Sequence, residues 1–142
     1  MRPITHIVLH CTATAQNTTI EAIRRYWREV MGWKHPGYHL IIRPDGTFER
    51  LAADEAVTNG VRGHNATSIH ISYIGGVGAQ GQPVDNRTAE QRRTMLTLVR
   101  TMRSRYPEAR IVGHRDFPGV AKACPSFEVA EWLRAEGVPN PK

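Results

Sequence analysis

Two histidines and one cysteine of this 142-residue sequence have types and positions that suit a transition-metal site. His10 and His114 each end a short hydrophobic stretch, and Cys124 follows ten residues after His114 in a segment rich in glycine and proline. Two imidazoles and one thiolate fill three corners of a tetrahedral zinc ion and leave the fourth open, as in catalytic zinc sites. Each residue also has a structural alternative, because strand-end histidines commonly make one hydrogen bond and lone cysteines commonly fill apolar space.

The other histidines fit a metal site less well. His6 and His10 share one face of a predicted strand but stand about 13 Å apart at about 3.3 Å per residue. His35 and His39 have the i,i+4 spacing of a helical zinc pair, but a proline and a glycine lie between them and prevent the helix that this spacing requires. We therefore do not assign these pairs to a metal.

Five segments have the composition of β-strands, with many β-branched and aromatic residues. The second and third flank Pro44-Asp45-Gly46, a strong turn signal, and therefore predict a hairpin. The five predicted strands comprise residues 4–10, 38–42, 47–51, 68–74 and 111–114. Two of them end at His10 and His114, so the strands should position the candidate ligands.

Three segments predict helices. Thr18 and Glu21 have the capping-box pattern, so a helix should follow to about residue 30. Thr88 and Gln91 form a second capping box, before apolar residues at helical spacing that continue to about residue 106. Ser126 is predicted to cap a last helix that ends near residue 136, just before a glycine.

These elements predict a single α/β domain over residues 1–142, with a core of about 4–136 and a mixed sheet flanked by about three helices. No apolar run approaches the ~20 residues that span a bilayer. The N-terminus lacks the hydrophobic region of a signal peptide, so we expect cytoplasmic synthesis. The two cysteines are then expected as thiols or metal ligands rather than as a disulfide.

Positive charge is concentrated in the second predicted helix. The formal net charge is +6, and the stretch from Arg87 to Arg110 holds seven arginines against two glutamates. We call the segment from Thr88 to Tyr106 the basic helix. It predicts contact with an anionic surface such as cell wall or lipid head groups, and its alternative is an ordinary solvated helix face. No aromatic residues interleave with the arginines, so no specific nucleic-acid partner is expected.

Four segments occur in an order that resembles the N-acetylmuramoyl-L-alanine amidase type 2 family, which includes small phage amidases and the peptidoglycan recognition proteins. The resemblance covers about residues 4–136. Its segments are Ile7-Val8-Leu9-His10-Cys11-Thr12-Ala13, Gly37-Tyr38-His39 with residues 40–46, Gly63-His64-Asn65 with residues 66–69, and Val112-Gly113-His114-Arg115-Asp116 with Lys122-Ala123-Cys124-Pro125.

The resemblance implies a site with one zinc ion per chain at the floor of a surface groove. The family's functional residues fall on His10, His114 and Cys124 as zinc ligands, on Tyr38 and Lys122 as catalytic residues, and on His64 and Asn65 as substrate-binding residues.

Three further positions bear on this site. Asp116, just after His114, is predicted on chemical grounds to accept a hydrogen bond from a ligand imidazole and to orient it. Gly60 and His70 depart from the family pattern, since many relatives have a histidine at the first position and a glycine at the second. Both departures leave the candidate ligands intact.

The activity that the resemblance implies is hydrolysis of the bond between N-acetylmuramic acid and L-alanine in peptidoglycan. A basic single-domain amidase without a signal peptide suggests a monomeric phage or prophage endolysin that reaches the wall after release or delivery. A cytosolic amidase that recycles muropeptides and a toxin delivered between bacteria are alternatives. A third alternative is a recognition module that binds muropeptide without cutting, but such relatives commonly lack the cysteine, and Cys124 is present here.

Overall fold

The computed structural model describes residues 2–141, which form one five-stranded mixed sheet and three α-helices. The predicted single α/β domain is thereby confirmed. The strands are β1 (His6–Cys11), β2 (Leu40–Ile42), β3 (Phe48–Arg50), β4 (Ser68–Tyr73) and β5 (Arg110–Gly113). The helices are α1 (Ile20–Glu29), α2 (Ala89–Arg105) and α3 (Val129–Glu136). None of the helices in this part of the chain has the length and apolar composition that a bilayer crossing requires.

The sheet has the strand order β3-β2-β4-β1-β5. β1 lies between β4 and β5 and is parallel to both, and β2 is parallel to β4. β3 pairs antiparallel with β2, which confirms the predicted hairpin, although its strands are shorter than expected. Parallel neighbours end at the same edge of a sheet. The residues that follow β1 and β5 therefore meet there.

The two faces of the sheet carry different side chains because strand residues alternate. Ile7 and Leu9 of β1 point to the face that α2 and α3 cover, where they join the main hydrophobic core. Val8 and His10 point to the opposite face. On that face α1 packs against Ile41 of β2.

The helix starts match the sequence only in part. The capping box of α2 is confirmed, since Thr88 accepts from the backbone N–H of Gln91 and the Gln91 side chain accepts from that of Thr88. The cap of α1 is Thr19, whose hydroxyl accepts from the Ala22 N–H at 3.1 Å, so the predicted cap at Thr18 is wrong by one residue.

The predicted start of α3 is also wrong. Ser126 does not cap the helix, which begins at Val129 after Glu128. Ser126 has a positive φ of 70°, and its hydroxyl donates to the carbonyl oxygen of Gly76 at 2.9 Å. That hydroxyl therefore tethers the loop after β4. The end of α3 is as predicted, with Gly137 in the left-handed conformation at φ 72°.

Candidate metal centre and active site

The three predicted ligands come together at the edge where β1 and β5 end. His10 is near the end of β1, and His114 directly follows β5 in a short 3-10 turn. Cys124 returns in the next loop, where its Sγ accepts a hydrogen bond from the backbone N–H of Cys11 at 3.2 Å. The ligand atoms of His10, His114 and Cys124 all lie within 4.8 Å of one another.

The spacing between Cys124 Sγ and His10 Nδ1 fits a tetrahedral zinc ion. Bonds of about 2.1 Å to nitrogen and 2.3 Å to sulfur at a tetrahedral angle would separate the two ligand atoms by about 3.6 Å. The distance from Cys124 Sγ to His10 Nδ1 is 3.7 Å. A donor set of two imidazoles and one sulfur is also one that favours zinc among divalent ions. Cys124 and His10 could therefore bind such an ion without a change in their spacing.

Both imidazoles are held neutral and so offer a lone pair. Burial keeps the pKa of His10 well below its ordinary value, and the positive charge of Lys122 acts in the same direction. Burial, followed by Lys122, lowers the pKa of His114 to about 4. The hydrogen bond with Cys11, followed by burial, raises the pKa of the Cys124 thiol. A divalent cation would favour the thiolate, which is the form that binds metals.

Tyr38 lies beside this cluster, two residues before β2. Its ring centroid is 5.1 Å from that of His10 and 5.3 Å from that of Trp27. The hydroxyl donates to the Cys11 carbonyl oxygen at 3.3 Å. Burial raises the pKa of Tyr38, so its hydroxyl keeps its proton at neutral pH and can donate a hydrogen bond.

Lys122 is exposed and stands two residues before Cys124. Its charge lowers the pKa values of His10 and His114 and opposes the rise in that of Cys124. The ammonium group is therefore close enough to act on all three predicted ligands. Lys122 and Tyr38 supply one cationic and one neutral hydrogen-bond donor next to the candidate metal centre.

The other predicted site residues take different places. His64 is exposed and packs against Phe117 with ring centroids 4.4 Å apart. Asn65 is half-buried, and its Oδ1 accepts from the Val61 N–H at 2.7 Å. Asp116 accepts from the Gly113 N–H at 2.7 Å. Within residues 2–141 no hydrogen bond joins Asp116 to an imidazole, because its carboxylate turns back onto β5 instead.

One buried residue at the site has no role in the sequence-based prediction. His70 of β4 has 0% exposure, and its Nδ1 lies 2.9 Å from Nε2 of His10. The alternating pattern of β4 places His70 on the same face as Ser68 and Ser72. Its departure from the family pattern was the only sequence signal that marked it.

The sequence of this chain is similar to those of known proteins. The profile of the N-acetylmuramoyl-L-alanine amidase family matches residues 1–127. The endolysin of Enterobacteria phage K11 is 38% identical over 127 residues, which are 89% of this chain and 83% of that protein. The endolysin of Escherichia phage T7 is 35% identical over 128 residues, with the same two shares.

Solved structures give the same result. The Ph2119 endolysin from the Thermus scotoductus MAT2119 bacteriophage Ph2119 superposes with a TM-score of 0.81 and 26% identity, over 98% of this chain and 88% of that one. The N-acetylmuramoyl-L-alanine amidase LysC from Clostridium intestinale URNW gives 0.80 and 26%, over 97% and 88%. Together with the profile match over most of its length, these similarities show that the chain belongs to the N-acetylmuramoyl-L-alanine amidase family and is an enzyme of that type.

Proposed function

We propose that this amidase cleaves the bond between N-acetylmuramic acid and L-alanine in peptidoglycan and depends on one Zn²⁺ held by His10, His114 and Cys124. The observation that carries the proposal is the convergence of their ligand atoms within 4.8 Å in a chain of this family. The relatives named endolysin support a role as a phage or prophage endolysin. The intact cysteine argues against a module that only binds muropeptide.

When bound, zinc supplies Lewis-acid activation of a water molecule and of the amide carbonyl. His10 and His114 are neutral, so each imidazole has one unprotonated nitrogen whose lone pair can bind the ion. As the amide carbon is attacked, its carbonyl oxygen gains negative charge. We propose that Lys122 and the Tyr38 hydroxyl donate hydrogen bonds to that oxygen, and one such donor is commonly worth about 3–4 kcal/mol.

We also propose that the substrate lies in a groove over the ligand cluster, with His64 and Asn65 on its wall. The exposed His64 ring packs on the buried Phe117, which lies in one hydrophobic cluster with Val8. Aromatic side chains can bury large areas against a bound molecule. Replacing His64 by alanine should raise KM more than it lowers kcat.

We propose that residues 1–142 act as one monomeric domain with one zinc ion and that the domain acts on the wall after release or delivery. We also propose that the basic helix contacts anionic wall or lipid surfaces. Sedimentation velocity of the zinc-loaded protein checks the monomer, because a dimer would sediment distinctly faster.

The direct test is mass spectrometry of the products from defined peptidoglycan, with metal-free and zinc-reloaded protein. We expect free stem peptides and newly exposed lactyl groups only with zinc. Cys124→Ser should lose both zinc and product, whereas Cys11→Ser, which removes the neighbouring buried thiol, should keep both. Full zinc binding with no release of stem peptide would contradict the proposal and favour the binding module.

A further inference from the structure

We propose that His70 is a positioning residue that fixes the proton and the orientation of the predicted zinc ligand His10, and that Asn65 anchors it while Gly60 makes room for its ring. This inference rests on the proposed zinc site. It gives Asn65 a structural task besides its predicted place in the groove.

A buried chain of hydrogen bonds leads away from the ligand cluster. His10 Nε2 lies 2.9 Å from His70 Nδ1, and His70 Nε2 lies 2.9 Å from Asn65 Oδ1. The same Asn65 oxygen receives the backbone N–H of Val61 at 2.7 Å. His10 and His70 have exposures of only 1% and 0%, so water does not compete for the bond between them.

The direction of each bond follows from the last bond of this network, in which the Val61 N–H donates to Asn65 Oδ1. A backbone N–H only donates, so the Asn65 atom that faces Val61 is the oxygen. That oxygen only accepts, so Nε2 of His70 must carry the proton. In a neutral imidazole the other nitrogen is then an acceptor, and Nδ1 of His70 receives the Nε2–H of His10.

The position of this proton determines which nitrogen of His10 can bind a metal. With its proton at Nε2, His10 has an unprotonated Nδ1, and this is the atom 3.7 Å from Cys124 Sγ. A ligand histidine commonly donates its other N–H to a fixed acceptor, which sets the tautomer and the ring orientation. Asp116 does not take this position, since its carboxylate binds the Gly113 N–H. His70 is the acceptor instead.

The sheet holds the His70 ring in place. In the parallel register of β1 and β4, Val8 is opposite His70 and His10 is opposite Ser72, so the two histidines are diagonal neighbours on one face. The backbone N–H of His70 donates to Nδ1 of His39 at 3.0 Å, and the two rings stack with centroids 5.9 Å apart. The acceptor is therefore part of a rigid layer.

Gly60 lies against the His70 ring. A Cβ atom at position 60 would stand 2.3 Å from Cγ and Nδ1 of His70, which is too close for any real contact. A side chain at position 60 and an imidazole at position 70 thus compete for the same space. The absence of a side chain at Gly60 therefore leaves this space to the His70 imidazole, which enters it from β4.

The first test measures zinc affinity by competition with a chelator and the visible spectrum of the cobalt-substituted protein. His70→Leu fills the space without an acceptor and should weaken zinc binding about 10–100-fold with an altered cobalt spectrum. His70→Asn returns an acceptor oxygen near the position of Nδ1 and should recover most of the affinity. A purely structural role would lower the unfolding temperature of both variants and leave the affinity of each folded variant unchanged, which would overturn the proposal.

A second test moves the imidazole from position 70 to position 60 and compares single and double variants. Gly60→His alone should clash and weaken zinc binding, whereas Gly60→His combined with His70→Gly should bind zinc more tightly than either single variant. Additive losses in the double variant would contradict the shared space.

A third measurement needs no variant. Nitrogen-15 NMR of histidine-labelled metal-free protein should show His10 and His70 as neutral Nε2–H tautomers, and an Nδ1–H tautomer at His10 would overturn the proposal. Should the wild type bind no zinc, the proposed function fails as well. Tight zinc binding with an unaffected His70→Leu variant removes only the role of His70.

Discussion

At the scale of single residues, the site combines candidate metal ligands with side chains that can donate hydrogen bonds. The two imidazoles are neutral because they are buried near a lysine, and the tyrosine keeps its proton because it is buried. These protonation states do not depend on fine adjustment of pH near neutrality. Neither Lys122 nor Tyr38 is a predicted ligand, so each of these hydrogen-bond donors can be replaced without changing the ligand set.

Lys122→Ala is expected to lower kcat by about 10²–10³-fold, because it removes a cationic donor at the oxygen that becomes negatively charged. Zinc content should stay at one ion per chain, since Lys122 is not a predicted ligand. Steady-state kinetics on soluble muropeptide and metal analysis measure both. Lys34→Ala, at another exposed lysine, is the control and should match wild type. A Lys122→Ala variant with wild-type kcat would exclude Lys122 from catalysis.

Tyr38→Phe keeps the ring that packs on Trp27 and removes only the hydroxyl. The lost bond to the Cys11 carbonyl should lower the free energy of unfolding by about 1 kcal/mol. We expect a fall in kcat of at least about tenfold with unchanged zinc affinity. Denaturant unfolding, kinetics and chelator competition separate the three quantities. Equal activity of both proteins would leave Tyr38 a packing residue.

Residue types and order were enough to identify the candidate ligands, because His10, His114 and Cys124 stand in segments that carry the family resemblance. They were not enough for the residues around the ligands. Asp116 was selected for its nearness to His114 along the chain, but the 3-10 turn there directs its carboxylate back to Gly113. His70 could not be selected, because its role depends on the register of β4 against β1.

At the scale of elements, a buried carboxylate ties the end of α2 to the segment after β3. The Asp54 side chain is 8% exposed and accepts hydrogen bonds from Arg50, Arg105 and Tyr106. Its backbone carbonyl also accepts from Arg2. This junction holds the segment that leads to Gly60 and Asn65, so it supports the site at a distance.

Asp54→Asn tests this junction through pH. Burial alone would raise the pKa of Asp54, but the hydrogen bonds from its two arginines and Tyr106 outweigh it and lower the pKa below the ordinary value. The stabilisation is therefore present above about pH 4, the unfolded pKa, and is lost as pH falls through the lower folded pKa. At pH 7 the variant should lose about 1–3 kcal/mol, allowing for the half-exposed arginines.

Urea unfolding of the wild type and of Asp54→Asn measures the effect from about pH 3 to about pH 7, a range that includes the unfolded pKa of about 4. The two stabilities should converge as pH falls. The control Asp45→Asn lies in the exposed β2–β3 turn, keeps an acceptor for Thr47, and should change stability by less than about 0.5 kcal/mol at pH 7. A constant difference across the acid range would mean that Asp54 acts through packing.

Element types and the start of α2 followed from periodicity, turn signals and the capping box, but the starts of α1 and α3 did not. Thr18 and Thr19 offer the same capping chemistry, and only the path of the chain leaving β1 decides between them. Ser126 fits a cap by its type, yet the Gly76 carbonyl already holds its hydroxyl. Long-range contacts of this kind are not encoded in local spacing.

At the scale of the whole molecule, the net charge of +6 is only partly free for binding. Most arginines between residues 87 and 110 have partners within the chain. Arg87 and Arg92 pair with Asp85, Arg105 pairs with Asp54, and Arg100 and Arg103 donate to backbone carbonyls near the C-terminus. Within residues 2–141, Arg93 is an exposed arginine of the basic helix whose side chain makes no hydrogen bond.

Arg93→Gln should therefore weaken binding to anionic vesicles with little change in stability, whereas Arg103→Gln should mainly lower stability, because it frees the carbonyls of Tyr106, Pro107 and Ala109. Cosedimentation at low and high salt measures the first effect, which salt should diminish. Thermal unfolding measures the second. Vesicle binding that is indifferent to both Arg93→Gln and salt would make the basic helix an ordinary solvated face.

The proposed binding of one zinc ion by two imidazoles and a single thiolate can be measured by X-ray absorption at the zinc edge of the reconstituted protein. We predict one sulfur at about 2.3 Å and two imidazole nitrogens at about 2.0–2.1 Å, with a further light atom completing the shell. A shell with no sulfur, or with two from both Cys11 and Cys124, would contradict the account.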